Sequence, residues 1–165
     1  MPRTTGLPQN LSAFLDTVAV SELGEAILAD PISDDGYRVL VGSVPGSIHI
    51  FNDYSRHPHI LERINPNMAS TAAGRYQVLA KYADVYTVQL KLPDFGPESQ
   101  DKIAIELIAE CHALADIEAG AIALALVKCS SRWASLPGAQ YGQHVNQIED
   151  LLASYVKAGG QGVNA

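Results

Sequence analysis

"LSAFLDTVAVSELGEA", residues 11–26, carries a helical periodicity that ends on a charged residue. The positions that share one face are spaced by four, three and four residues: Leu11, Leu15, Val18 and Glu22. This repeat is typical of the buried face of an amphipathic helix. Gly24 follows directly and is a natural helix terminator. The pattern predicts a first helix from Asn10, as its N-cap, to Leu23.

Glu22 places a carboxyl group at the inner end of this predicted helix. A glutamate at a helix end ordinarily reaches solvent, but this one continues the apolar stripe and follows Ser21, whose hydroxyl can bond it. Apolar surroundings favour the neutral carboxyl, so its pKa rises and it can donate a proton near neutral pH. From position alone, a general acid and a solvated helix end both stay open. Glu25 lies off the stripe and is expected to be an ordinary surface residue.

The composition describes an ordinary globular protein. The chain has 165 residues, of which 47% are hydrophobic and 18% charged, and we expect one domain over 1–165 with an ordered core of about 10–158. Its longest apolar run, residues 121–127, is too short to span a bilayer, and no stable membrane association is expected. The net charge of -7 argues against nucleic acid as a partner. We expect a monomer.

The remaining pattern predicts a mostly helical chain with a small sheet. "YRVLVGS" and "IHIF", within residues 37–51, are predicted to form a hairpin, and residues 52–70 a loop. Helical periodicity returns over residues 73–90 and again from Pro97 to about Leu114. Two more helices are predicted over Ile117–Cys129 and Val145–Lys157. Helices around an inserted antiparallel hairpin make an α+β fold.

Two segments have compositions suited to a binding site, and the first has groups that bind sugars. In "STAAGRYQ", residues 70–77, Gly74 permits close backbone approach and is followed by Arg75, Tyr76 and Gln77. Aromatic rings and side-chain amides are groups that contact sugars, although a helix cap followed by a core tyrosine would have the same sequence. "WASLPGAQYGQ", residues 133–143, can line a cleft or form a packed connector.

Other chemistries find little support in the sequence. His57 and His59 flank a proline without a third ligand at metal-site spacing, so neither a metal nor a cofactor is expected. Cys111 and Cys129 are predicted to be free, buried thiols, with a disulfide between them as the alternative.

Several longer segments occur in the order found in one known family. They are "AFLDTVAVSELG", "GYRVLVG", "FNDYSRHP", "STAAGRYQVLAKYADVY", "LPDFGPESQD" and "CSSRWASLPGAQYGQ". With these segments the chain resembles the endolysin family typified by phage lambda lysozyme. The resemblance covers nearly the whole chain and implies a lysozyme-like α+β fold, mostly helical, with a small antiparallel sheet inserted after the first helix.

The resemblance also implies an activity, the lytic transglycosylation of peptidoglycan with formation of 1,6-anhydro-muramic ends. Glu22 would then be the general acid and base. The residues implied to bind the glycan are Ser21, Tyr54, Arg75, Tyr76, Gln77, Tyr141 and Gln143. Tyr76 and Gln77 would line the cleft, Tyr141 would belong to one mobile lip and Tyr54 to the opposite lip.

The number of well-placed carboxylates agrees with this implied mechanism. Glycosidases normally use two carboxylates, whereas this sequence offers one on a regular element. A transglycosylase needs no base to activate water, because the 6-hydroxyl of the muramic acid attacks its own anomeric carbon. The alternatives are a hydrolase that uses Asp34 or Asp53 as second carboxylate, and a non-catalytic glycan-binding module.

The setting implied by the family is the bacterial cell wall. The first ten residues lack a hydrophobic signal-peptide core, so we expect synthesis in the host cytoplasm and action in the periplasm once the membrane is opened. The acidic charge is unfavourable for an anionic wall polymer. A local positive face would compensate, with Arg56, Arg63, Arg75 and Lys81 as its candidates.

Overall fold

The computed structural model describes residues 1–66, 68–139 and 145–162. Within these ranges the regular structure consists of seven α-helices and one two-stranded sheet. In chain order the elements are α1 (Gln9–Leu23), α2 (Glu25–Ala29), β1 (Glu62–Asn65), β2 (Met68–Ser70), α3 (Ala80–Gln89), α4 (Pro97–Glu110), α5 (Leu114–Glu118), α6 (Ile122–Cys129) and α7 (Ile148–Lys157). No helix in the described ranges is long and apolar enough to cross a membrane.

The chain forms two compact units. The helical unit comprises Met1–Glu22 with Ala104–Ala165, and the sheet unit comprises Leu23–Ile103. Large apolar side chains fill each interior: Phe14, Leu15, Val18, Ile108, Ile122, Leu126 and Leu151 in the helical unit, and Tyr37, Val39, Phe51, Tyr76 and Phe95 in the sheet unit.

The first helix is confirmed; Leu15 and Val18 of its stripe are buried, and Leu11 and Glu22 are half-buried. It begins at Gln9, one residue before the predicted cap, and Gly24 follows its last residue with φ +76°. Asn10 lies within the helix and is not its N-cap. Its Nδ2 donates to the carbonyl of Ile117 (3.2 Å), and its Oδ1 accepts from the backbone N–H of Gln161 (2.9 Å). The ordered core therefore extends past residue 158, because α1 holds the segment that follows α7.

The hairpin within residues 37–51 is present but irregular. Leu40 N–H donates to the carbonyl of His49 (2.9 Å) and Phe51 N–H to that of Arg38 (3.0 Å), yet the pairing consists of isolated bridges rather than strands. The regular antiparallel sheet pairs β1 with β2, inside the segment predicted as loop. Most residues of β1 are exposed on both faces, so no apolar alternation marks this strand in the sequence.

Three predicted helices are shorter than expected because left-handed backbone interrupts them. The helix predicted from Pro97 to about Leu114 ends at Glu110, just before His112 with φ +54°. The helix predicted from residue 73 starts at Ala80, since Gly74 (φ +79°) and Gln77 (φ +47°) form a turn closed by reciprocal hydrogen bonds between Ala73 and Val78. The helix predicted over residues 117–129 is divided into α5 and α6 by Gly120, with φ +77°. The start of α4 at Pro97 is confirmed.

Candidate active site

The carboxyl group of Glu22 lies in the last turn of α1 and is half-buried. Its Oε1 accepts a hydrogen bond from the hydroxyl of Ser135 at 2.5 Å. Burial raises the pKa of Glu22 from 4.5 to about 7, against the opposing effect of side-chain and backbone hydrogen bonds from Ser135. At neutral pH such a carboxyl is present in both its neutral and its ionised form. A group that first gives a proton and then takes one back needs both forms.

The hydroxyl of Ser21 supports this carboxyl through a second serine rather than directly. Ser21 Oγ lies 2.7 Å from Ser135 Oγ, and Asn146 Nδ2 donates to Ser21 Oγ at 3.0 Å. The same Asn146 nitrogen bonds the backbone carbonyls of Ser21 (3.1 Å) and Ser135 (3.2 Å). Ser21 is buried, with 9% of its surface exposed, so its hydroxyl is occupied inside the protein.

Sequence reasoning missed Ser135 and Asn146. Ser135 follows Glu22 by 113 residues, and no periodicity connects positions so far apart. Its presence in the segment "CSSRWASLPGAQYGQ" was the one available signal. Tyr141 and Gln143, predicted in the same loop, lie outside the described residues.

In the sheet unit, the segment Gly74–Gln77 is held by buried polar groups. The hydroxyls of Tyr37 and Tyr76 both donate to Asp101 Oδ1 at 2.7 Å. Burial and the Asp101 carboxylate raise the pKa of both tyrosines well above the ordinary value. Tyr76 is fully buried, which differs from the cleft-lining ring expected from the sequence, so in this structure its role is to hold the segment.

Arg75 is also part of the interior. With 1% of its surface exposed, it forms an ion pair with Asp35 Oδ1 at 2.7 Å, and its guanidinium lies 5.3 Å from the ring centre of Tyr37. The backbone N–H of Arg75 donates to the side-chain oxygen of Gln100 (3.0 Å). Arg75 therefore cannot belong to a positive surface, whereas the other candidates for that face are exposed: Arg56, Arg63 and Lys81.

Gln77 and Tyr54 remain partly accessible. Gln77 has a left-handed backbone with φ +47°, an uncommon conformation for a residue with a side chain. Its Nε2 donates to the carbonyls of Gly74 (2.9 Å) and Val39 (3.3 Å). The half-buried Tyr54 donates its hydroxyl to Asp34 Oδ2 at 2.7 Å.

The other candidate groups from the sequence, Asp53, His57 and His59, form hydrogen bonds or ion pairs with neighbouring residues. Asp53 is exposed, and hydrogen bonds from the backbone and hydroxyl of Ser55 lower its pKa. His57 is buried against the carbonyl of Val78, and His59 pairs with Asp84. No cluster suited to a metal ion occurs among the described residues.

Both cysteines are free thiols. Cys129, at the end of α6, is buried as predicted, whereas Cys111 follows the end of α4 and is half-buried. Burial is the main reason that the pKa of the Cys129 thiol is raised.

Known proteins resemble this chain over nearly its whole length. A family model described as Endolysin matches residues 12–162. The endolysin of Escherichia phage lambda is 45% identical over 148 residues, which cover 90% of each chain. The endolysin of Escherichia phage P2 is 47% identical over 158 residues, covering 92% of this chain and 94% of its own.

Solved structures of bacteriophage lambda lysozyme share the fold. One, in complex with a chitohexasaccharide, superimposes with a TM-score of 0.84 at 40% identity over 96% of this chain and 99% of that one. Another superimposes with a TM-score of 0.83 at 42% identity and the same coverage. The mostly helical α+β fold expected from the sequence is thereby confirmed, and the chain belongs to the endolysin family.

Proposed function

We propose that this endolysin is a lytic transglycosylase that cleaves the β-1,4 bond between N-acetylmuramic acid and N-acetylglucosamine in peptidoglycan. The observation that carries the proposal is the Glu22 carboxyl, whose pKa burial raises to about 7 beside the hydroxyl of Ser135. A carboxyl with this pKa is protonated often enough to act as an acid and is basic enough to take a proton back.

The reaction uses Glu22 twice. The neutral carboxyl first protonates the glycosidic oxygen, and the bond from that oxygen to the anomeric carbon of the muramic residue breaks. The substrate's own N-acetyl group can stabilise the resulting cationic centre. The 6-hydroxyl of the same residue then attacks the anomeric carbon and gives its proton to the Glu22 carboxylate. The products are a 1,6-anhydro-muramic end and a free 4-hydroxyl, and the acid is regenerated.

The surroundings of Glu22 favour one carboxyl over a close pair of carboxyls. Among the described residues, the pKa of Glu22 is set by burial and by hydrogen bonds from the neutral Ser135. A retaining glycosidase holds its two carboxyls about 5–5.5 Å apart, where a second negative charge would itself raise the pKa. An intramolecular nucleophile makes a second carboxylate unnecessary.

The glycan contacts belong to the same proposal. We assign Gln77 and Tyr54, both half-buried, to direct contact, together with Tyr141 and Gln143. The Gln77 nitrogen is engaged by two backbone carbonyls, so its Oε1 is oriented to accept from a sugar hydroxyl or acetamido N–H. Ser21, Arg75 and Tyr76 act from the interior by holding the residues that make contact. The glycan in complex with lambda lysozyme, a chitohexasaccharide, supports binding of such a chain.

The proposed setting follows from this substrate. The enzyme acts as a monomer on the cell wall in the periplasm, after the membrane has been permeabilised, and it requires no cofactor.

The test is mass spectrometry of peptidoglycan sacculi digested by the wild type, Glu22→Gln and Glu25→Gln. We expect anhydro-muropeptides from the wild type and from Glu25→Gln, which changes the exposed neighbouring glutamate. Glu22→Gln should lose about 10³-fold in rate, since a general acid contributes 10²–10⁴.

Each other outcome overturns a different part of the proposal. Reducing-end muropeptides without anhydro products would indicate a hydrolase with Asp34 or Asp53 as second carboxylate. Undiminished lysis by Glu22→Gln would remove Glu22 from the mechanism. Sacculi bound but left intact by the wild type would indicate a glycan-binding module.

A further inference from the structure

Four polar groups in the helical unit form a continuous chain of hydrogen bonds that ends on Glu22. Asn146 Nδ2 reaches Ser21 Oγ at 3.0 Å, Ser21 Oγ lies 2.7 Å from Ser135 Oγ, and Ser135 Oγ lies 2.5 Å from Glu22 Oε1. The chain joins the end of α1 to two residues of the segment between α6 and α7.

The direction of this chain is fixed at both ends. Asn146 Nδ2 faces the backbone carbonyls of Ser21 and Ser135, which can only accept, so the amide must present its N–H groups here. The two hydrogens of this amide are shared among three acceptors, the two carbonyls and Ser21 Oγ. Because the amide nitrogen cannot accept a hydrogen bond, the Ser21 hydroxyl proton is left for Ser135. At the other end an ionised Glu22 can only accept. The protons consequently point from Asn146 through Ser21 and Ser135 to Glu22.

We propose that Ser135 is a positioning residue for Glu22, and that Ser21 and Asn146 orient its hydroxyl so that it donates to the carboxyl throughout the reaction. The inference rests on the proposed role of Glu22. It goes beyond that role because it assigns Ser135 the task of fixing the carboxyl's orientation and of stabilising the ion left after proton donation.

Ser135 should also determine the pH range of activity. Both hydrogen bonds that oppose the effect of burial on Glu22 come from Ser135, one from its hydroxyl and one from its backbone, and among the described residues no charged group contributes to this pKa. Because Glu22 must be protonated to start the reaction, activity falls as pH rises through its pKa. Removal of the hydroxyl raises the pKa and moves this fall to higher pH.

The experiment compares Ser135→Ala, Ser135→Thr, Ser21→Ala and Ser130→Ala in the full chain. Ser130 is the matched control, since it lies in the same segment and its hydroxyl donates to the carbonyl of Val127 in α6 (2.7 Å). One readout is the pH dependence of kcat/KM on sacculi. The other is ¹³C NMR titration of the Glu22 carboxyl, assigned by its loss in Glu22→Gln, which requires no activity.

In Ser135→Ala we expect the midpoint of the pH profile of kcat/KM and the midpoint of the NMR titration both to rise by about one pH unit. Loss of a hydrogen bond to a charged group changes the free energy of ionisation by about this amount. Ser21→Ala should raise them less, because Ser135 keeps its hydroxyl but loses the group that orients it. Ser135→Thr should restore the wild-type values, and Ser130→Ala should not change them.

Unchanged midpoints in both Ser135→Ala and Ser21→Ala, with lower activity, would reduce Ser135 to a packing role and overturn the inference. If Ser135→Ala does not fold, Ser21→Ala decides in the same way. A shifted NMR midpoint without anhydro products would contradict the proposed function while leaving the link between Ser135 and Glu22 intact.

Discussion

At the residue scale, two opposing effects act on Glu22. Burial disfavours the ionised carboxyl, whereas the Ser135 hydroxyl and backbone favour it, and the balance lies at a pKa of about 7 instead of 4.5. This difference corresponds to about 3 kcal/mol, at 1.36 kcal/mol for each pH unit. The folded protein therefore loses stability when Glu22 ionises, and the proposed mechanism uses the acid that remains near neutral pH.

The first consequence is a pH-dependent gain in stability for Glu22→Gln. The pKa of Glu22 is higher in the folded protein than in the unfolded chain. The free energy of unfolding therefore includes the full stabilisation by the protonated carboxyl below about pH 4.5, and this stabilisation is lost as the pH rises through about 7. A neutral glutamine avoids this loss. We expect Glu22→Gln to be more stable than the wild type by about 2–3 kcal/mol at pH 8, with the difference vanishing near pH 4.

Chemical denaturation of both proteins at pH 4 and pH 8 measures this difference. Glu25→Gln should show no comparable gain at pH 8, because Glu25 is exposed. A Glu22→Gln effect of equal size at both pH values would contradict the assignment of the raised pKa.

At the scale of elements, the turn before α3 depends on the absence of a side chain at Gly74. This residue has φ +79°, and a Cβ atom there would overlap the side-chain amide of Gln100. Gln100 is buried and its Nε2 donates to the carbonyls of Tyr37 (2.9 Å) and Phe95 (2.8 Å). The close approach thus links the turn to α4 and to the interior of the sheet unit.

Gly74→Ala should be much more destabilising than Gly42→Ala. Gly42 has a similar φ of +83° but open space where a Cβ atom would lie, so its substitution costs only the left-handed backbone, about 1–2 kcal/mol. Gly74→Ala must in addition displace a buried amide, which adds at least about 2 kcal/mol. Free energies of unfolding of the two variants give the comparison, and equal losses would show that Gln100 moves aside at little cost.

These elements also show what the sequence can and cannot predict. The stripe that ends at Glu22 is local information, and it correctly predicts α1 and its buried face. The interruptions at Gln77 and Gly120 have left-handed backbone, and the glycines at 74 and 120 were the available signal, but helical periodicity continues through both and outweighed it. The partners of Glu22 at Ser135 and Asn146 are long-range and polar, and apolar patterning carries no information about such pairs.

At the scale of the whole molecule, the charge opposes the proposed substrate. Acidic side chains exceed Lys and Arg by 18 to 11, while peptidoglycan is anionic. The three exposed candidates for a positive face, Arg56, Arg63 and Lys81, are too few to reverse the net charge. Long-range repulsion should therefore slow the encounter with the wall at low ionic strength.

Salt should accordingly accelerate lysis of sacculi. Between 10 and 150 mM salt the screening length falls from about 30 Å to about 8 Å, and we expect the initial rate to rise severalfold. An uncharged chitooligosaccharide is the control substrate and should be cleaved or bound with little salt dependence. A rate on sacculi that falls with added salt would instead show that a local positive surface guides binding.

The hydrogen-bond chain on Glu22 has a consequence for protein synthesis. Glu22 leaves the ribosome well before its partners, since Ser135 follows 113 residues later and Asn146 lies 125 residues after Ser21. At about 5–20 residues per second, the 113 residues that separate Glu22 from Ser135 take roughly 6 to 23 s to synthesise before this carboxyl acquires its partners. Fragments from interrupted translation carry an acid that is neither oriented nor adjusted to neutral pH. If Glu22 has the proposed role, chains interrupted before Ser135 therefore add no lytic capacity.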